Sequence, residues 1–137
     1  DFHSFYKFTF VRNPWDRVIS ECFCPHIQLI FKGCRGIEDK IKKVCSLSEK
    51  GYANHCKKQV AFITAPDLKL DFIGRFERLE EDFVKVCNEV GRNYQKLLRT
   101  NQSQHRNYRK YYNDEMRELV AEKYTQDIEY FGYEFGK

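Results

Sequence analysis

Residues Tyr6 to Cys22, YKFTFVRNPWDRVISEC, leave few choices of architecture. Tyr6 to Val11 are rich in aromatic and β-branched residues and read as a buried strand. Asn13 is a natural N-cap and Pro14 the favoured first residue of a helix, while Trp15, Val18, Ile19 and Cys22 recur at i, i+3, i+4 and i+7. This is a strand, a tight turn and a helix within about twenty residues. The pattern returns downstream. Leu70 to Phe76 (LDFIGRF) reads as a second strand, and behind it Leu79, Phe83, Val86, Cys87 and Val90 form one apolar helical stripe. Glu80, Glu81 and Asp82 in its first turn and Gly91 past its end favour that helix. Strand, helix, strand, helix predicts an α/β domain with a parallel sheet.

The segments between and after are helix and loop. From Pro25 to Ala65 the pattern weakens to an apolar run (Ile27 to Phe31), breakers at Gly33 and Gly36, a basic amphipathic piece from Ile37 to Cys45 and a polar turn near Gly51. A final helix is predicted behind Asn113 or Asp114, with Met116, Val120, Tyr124, Ile128 and Phe131 on one face and Gly132 as its stop. With 137 residues, 42% hydrophobic and 16% aromatic, the chain holds one domain with a real core and not two.

A net charge of +4 suits an anionic ligand but falls short of a dedicated nucleic-acid binder. The six cysteines have neither the paired spacing of a zinc ribbon nor the density of a disulfide-built miniprotein. Cys22, Cys24 and His26 form a CxCxH run without a partner at zinc-site spacing, so no metal is expected. No signal peptide, membrane-spanning run or lipidation motif is visible.

Chemistry concentrates at the first turn. A helix N-terminus at the carboxyl end of a parallel strand presents unpaired N–H groups and the positive end of the helix dipole, which together attract anions. Arg12 stands there, and Ser20, about two helical turns on, returns to nearly the same side. The two can grip one phosphate from two directions. Alternatively Arg12 pairs with a carboxylate such as Asp16, and Ser20 faces solvent.

The wording of the segment is more specific than its geometry. FTFVRNPWDRVIS resembles the 3′-phosphate-binding motif of sulfotransferases that use 3′-phosphoadenosine-5′-phosphosulfate (PAPS), in particular the carbohydrate sulfotransferase family 2 branch. Leu70 to Gly91 (LDFIGRFERLEEDFVKVCNEVG) and His105 to Phe135 (HRNYRKYYNDEMRELVAEKYTQDIEYFGYEF) resemble the same family in order and spacing. His55 with Gln59 is similar to the His-x-x-x-Gln that precedes the second strand in chondroitin-type relatives. Residues 25–54 are unmatched and read as a variable insert.

The resemblance implies a P-loop-NTPase-like three-layer fold, with helices around a parallel sheet, and transfer of a sulfuryl group from PAPS to a hydroxyl of a glycan. It implies Arg12 and Ser20 as 3′-phosphate ligands, with Ser103, His105 and Arg106 in a late basic loop closing over the same group. Phe76 falls where relatives place an aromatic ring against adenine, the alternative being a strand-end core residue. His55 is the candidate general base. The family's 5′-phosphosulfate loop, a Pro-Lys-x-Gly-[ST] turn, does not occur in these residues. The chain is therefore expected to be the C-terminal portion of such an enzyme, with any membrane anchor upstream, or a non-catalytic remnant. The compartment would be the Golgi lumen for an animal protein and the cytoplasm for a bacterial one.

A competing reading is a nucleic-acid-binding module built on residues 92–112, where basic residues alternate with tyrosines able to stack on bases. A nucleotide kinase or GTPase is disfavoured because no GxxxxGK[ST] occurs.

Overall fold

In the computed structural model, which describes residues 2–48, 55–100, 102 and 104–137, strands β1 (Phe8–Val11) and β2 (Phe72–Arg75) pair in parallel. Phe8 lies opposite Phe72 and Val11 opposite Arg75. Both strands are shorter than predicted, for identifiable reasons. At the entrance the Lys7 amide donates to the Asp71 carboxylate at 2.7 Å instead of to a backbone carbonyl, while the Lys7 carbonyl accepts from the Asp71 and Phe72 amides. At the exit Phe76 turns into a 3-10 segment, Phe76–Arg78. Between these ends Gly74 is required by packing, because a Cβ there would lie 2.4 Å from the Phe10 ring.

Helix α1 (Pro14–Cys22) begins as predicted, with the Asn13 side chain accepting from the Trp15 amide and Pro14 in the first position. Its buried stripe, Trp15, Val18, Ile19 and Cys22, packs on α2 (Ile37–Ser46) through Ile41 and Val44, and on α4 (Asp114–Lys123) through Met116 and Val120. The core is centred on these three helices, while α3 (Leu79–Glu89) packs against β2. The result is a mixed α/β domain with a small parallel sheet. The expected helix and loop between Pro25 and Ala65 is met by a 3-10 segment, Pro25–Phe31, and by α2.

Two expectations are corrected. In α3 the apolar stripe does not reach Val90, which is 42% exposed, whereas Asp82 is buried. The helix stops at Glu89, and Asp82 turns inward because it accepts from the Arg75 amide at 2.8 Å and the Lys85 ammonium at 2.7 Å. The final helix is also not single: α5 (Thr125–Phe131) follows α4 after a break at Tyr124, whose φ of −109° and ψ of 24° leave the helical region. The buried Tyr124 hydroxyl donates to the Cys56 carbonyl at 2.7 Å, and the Thr125 hydroxyl donates back to Ala121 O and Glu122 O, a pattern that bends helices. Gly132, at φ +65°, ends α5 as predicted.

Candidate functional site

Arg12 and Asn13 are the two residues between β1 and α1, and distant segments converge on their backbone. The Asn13 amide donates to Glu77 Oε1 at 2.6 Å, which ties the turn to the end of β2. The Asn13 side chain caps α1 through Oδ1, and its Nδ2 donates to the carbonyls of Glu134 at 3.1 Å and Lys137 at 3.3 Å. The Gln59 amide accepts from Arg12 N at 2.8 Å and donates to Arg12 O at 2.8 Å.

The Arg12 side chain makes the ion pair that the simpler reading required, with Nε donating to Asp16 Oδ2 at 2.7 Å. That pair engages one edge of the guanidinium. The plane of the group lies over the Phe76 ring, 4.4 Å from its centroid, in cation–π geometry. Phe76 is 46% exposed, so the strand-end core reading of this residue fails.

The late basic loop reaches the same turn. His105 packs on Phe23 and Tyr111, its Nδ1 donates to Arg106 O, and the Arg106 amide donates to the Tyr111 hydroxyl at 3.1 Å. His105, Arg106 and Arg109 then face Asn13, Asp16 and Glu77 across a cavity of about 340 Å³, with Lys137 at its edge. Phe76 also lines a second, largely apolar cavity of about 350 Å³ with Leu79, Leu97 and Leu98, to which Glu80, Arg99, Thr100 and Gln102 add polar groups. Arg12 itself lines neither cavity, but its guanidinium touches one wall residue of each, Asp16 and Phe76.

The remaining candidates are less central. Ser20 is half-buried one turn beyond Asp16 on α1 and lines neither cavity. Ser103 lies outside the described residues. His55 also lines neither cavity. Its carbonyl accepts from Arg17, and its half-exposed ring places Nδ1 3.8 Å from Glu21 Oε2, too far for a hydrogen bond. That buried oxygen finds no hydrogen-bond donor among the described residues. Burial pushes the Glu21 carboxyl above its ordinary range, against the pull of Arg17, His55 and Arg12.

No group of side chains among the described residues could hold a metal ion. The CxCxH run is no exception: burial pushes the Cys22 thiol up to about 12. No helix among them is long and apolar enough to cross a membrane.

The tyrosines of the basic stretch are occupied as well. Tyr108 and Tyr112 pack edge-on against Phe135, which packs in turn on Trp15. The Tyr112 hydroxyl donates to Trp15 O at 2.9 Å, and burial pushes its acidity far outside the ordinary range. Tyr108 and Tyr112 are thus half-buried against the core, whereas Tyr94 of the same stretch is 38% exposed.

Three contributors escaped the sequence reading. Gln59 attracted attention only as half of a motif, with no role attached. Asp127, buried and accepting from the Gln59 and Val60 amides, sits three residues from Tyr124 and four from Phe131 on the apolar side of the last helix, and an acid in that position was a readable signal. Glu77 carried none.

A short parallel strand pair whose first member passes through an arginine-bearing turn into a helix places the chain among mixed α/β proteins. Comparison with protein families narrows the class. The family model described as "Sulfotransferase family" matches residues 1–134, and the chain belongs to that family, in its family 2 branch. Membership makes it a transferase of the sulfotransferase kind. No curated protein and no solved structure matches the chain.

Proposed function

We propose that this chain holds the adenosine 3′,5′-bisphosphate (PAP) portion of PAPS within a three-layer, P-loop-like sulfotransferase fold, and that the sulfuryl group passes to a carbohydrate hydroxyl. The observation that carries the reading is the contact of the Arg12 guanidinium with Asp16, which lines the basic cavity, and with the Phe76 ring, which lines the apolar one. A basic cavity at a helix N-terminus matches a phosphate, and an apolar cavity walled by an exposed phenylalanine matches a purine ring.

Arg12, with His105 and Arg106, holds the 3′-phosphate, and the resemblance adds Ser20 and Ser103 to that set. Asp16 orients the guanidinium by holding its Nε edge. Phe76 stacks on adenine. In the transfer itself an acceptor oxygen forms a bond to sulfur as the bond from sulfur to the 5′-phosphate oxygen breaks. The acceptor's proton goes to a base, for which His55, with its half-exposed ring, is the candidate.

Calorimetric titration of the chain with PAP and with adenosine 5′-monophosphate tests the reading. PAP binds more tightly, and Arg12→Ala weakens PAP by about 10- to 100-fold, the worth of a hydrogen bond to a charged group, while leaving the monophosphate nearly unchanged. Equal affinity for the two nucleotides refutes a 3′-phosphate site.

A further inference from the structure

The backbone of Arg12 is held from a segment far away in sequence. Val11 is the last residue of β1 to face a partner in β2, so the Arg12 N–H and C=O lie beyond the ladder. The Gln59 primary amide meets both, at 2.8 Å each, and replaces the missing strand with one side chain.

Gln59 is itself placed with unusual care. Asp127, fully buried, accepts from the Gln59 amide through Oδ2 at 2.8 Å and from the Val60 amide through Oδ1 at 2.8 Å. On the N-terminal side Arg17 donates to the carbonyls of His55 and Lys57, and Tyr124 donates to Cys56 O. Among the described residues Asp127 has no cationic partner, and a carboxylate buried on backbone amides alone is costly to keep unless the geometry it fixes is needed. Every one of these bonds orients residues 55–60, and of that segment only the Gln59 side chain reaches the Arg12 backbone.

We infer that Gln59, set by Asp127, is the positioning residue of the phosphate site: it fixes the Arg12 backbone so that the guanidinium lies between Phe76 and the basic cavity, without touching the nucleotide. The inference rests on the reading of Arg12 as a 3′-phosphate ligand. A plain staple between the segment and the turn would lower stability and would weaken every nucleotide alike. A positioning residue acts through Arg12, so its loss falls on the 3′-phosphate and disappears once the Arg12 side chain is gone.

The experiment is a double-mutant cycle on the full chain, read by calorimetry with PAP and adenosine 5′-monophosphate. Gln59→Met fills similar volume and makes neither bond; it weakens PAP by about tenfold, as expected for a displaced charge-assisted contact, and the monophosphate by no more than about twofold. In the Arg12→Ala background the same change alters PAP affinity by less than about twofold. Gln59→Leu, uncharged and likewise unable to make either bond, gives the same selective loss and serves if Gln59→Met does not fold. Wild-type PAP affinity in the Gln59 variants, equal losses for both nucleotides, or additivity with Arg12→Ala each overturn the inference while leaving the nucleotide reading intact. A wild-type chain that shows no preference for PAP overturns that reading first, and this one with it.

Discussion

Replacing Asn13 separates the local from the long-range support of the site. Its side chain is 1% exposed and makes two kinds of bond. Oδ1 accepts from the Trp15 amide at 3.1 Å and caps α1, while Nδ2 donates to Glu134 O at 3.1 Å and, more weakly, to Lys137 O at 3.3 Å and the Tyr108 hydroxyl at 3.4 Å. Losing a cap costs about 1 kcal/mol. Losing the donor to the Glu134 carbonyl costs about 1 kcal/mol more, and the two longer contacts add little. Asn13→Ala should therefore destabilise the domain by about 2 kcal/mol, a fall in Tm of roughly 8 °C at this chain length. Asn13→Ser retains the cap and loses only the bonds to the C-terminal residues, so it should cost about half as much. Urea unfolding followed by circular dichroism, with midpoints compared at constant slope, measures both. If Asn13→Ser is as stable as the wild type, the bonds to residues 134 and 137 contribute nothing. If it is as unstable as Asn13→Ala, the cap contributes nothing. Either result refutes the division of labour argued here.

Gly74→Ala would set a Cβ 2.4 Å from the Phe10 ring, and overpacking of this kind costs about 1–3 kcal/mol. The cost should vanish in a Phe10→Val background, and a cost that persists there means the clash lies elsewhere. Burial pushes the thiols of Cys22 and Cys45 up to about 12 and that of Cys56 up to about 11, and Cys87 is also buried. A disulfide reagent at pH 8 should therefore modify only Cys24 and Cys34 rapidly in the native protein and all six cysteines after denaturation; a third fast thiol contradicts the packing. Acid stability should carry two opposed signatures. Burial alone would raise the Asp82 carboxyl, but the Lys85 ammonium, the Arg75 amide and Arg78 outweigh it and hold it below the ordinary 3.8. Its contribution is thus complete above that pH and lost as pH falls through the lower folded value. Glu21, raised above the ordinary 4.5, works the other way and costs stability as pH climbs from 4.5 through its folded value. Urea midpoints against pH should show Asp82→Asn flattening the acid limb and Glu21→Gln flattening the decline above 4.5; the reverse assignment would reject both environments.

The parts of this fold that were legible from sequence are those decided by neighbours along the chain. Asn13 and Pro14 announce the start of α1 because a cap acts over two or three residues, and Gly132 announces the end of α5 because a left-handed backbone demands it. Where a distant group intervenes, local pattern misleads. Asp82 reads as one of three solvated first-turn acids, yet the Arg75 amide and Lys85 draw it inside. The last helix reads as one piece, yet Tyr124 turns aside to meet Cys56. Phe76 reads from its strand-end position as a core residue, yet its ring is 46% exposed and lies under the Arg12 guanidinium.

The same distinction explains why Arg12 could be picked out while its surroundings could not. An arginine after a strand is visible in one line of sequence, but the turn that carries it is assembled from Gln59, Glu77 and Asn13, with the last bound in turn to the C-terminal residues. The bonds from Gln59 and Glu77 run from a polar side chain to main-chain atoms of residues 12 and 13, and such bonds leave no periodic trace, because any donor or acceptor of suitable length serves. Their physical purpose is nevertheless common. Parallel strands leave the backbone of the following turn without a ladder, and its polar groups need partners from elsewhere. Side chains from across the domain supply the missing partners, so the rigidity of the site depends on the integrity of the whole fold rather than on the motif that advertises it.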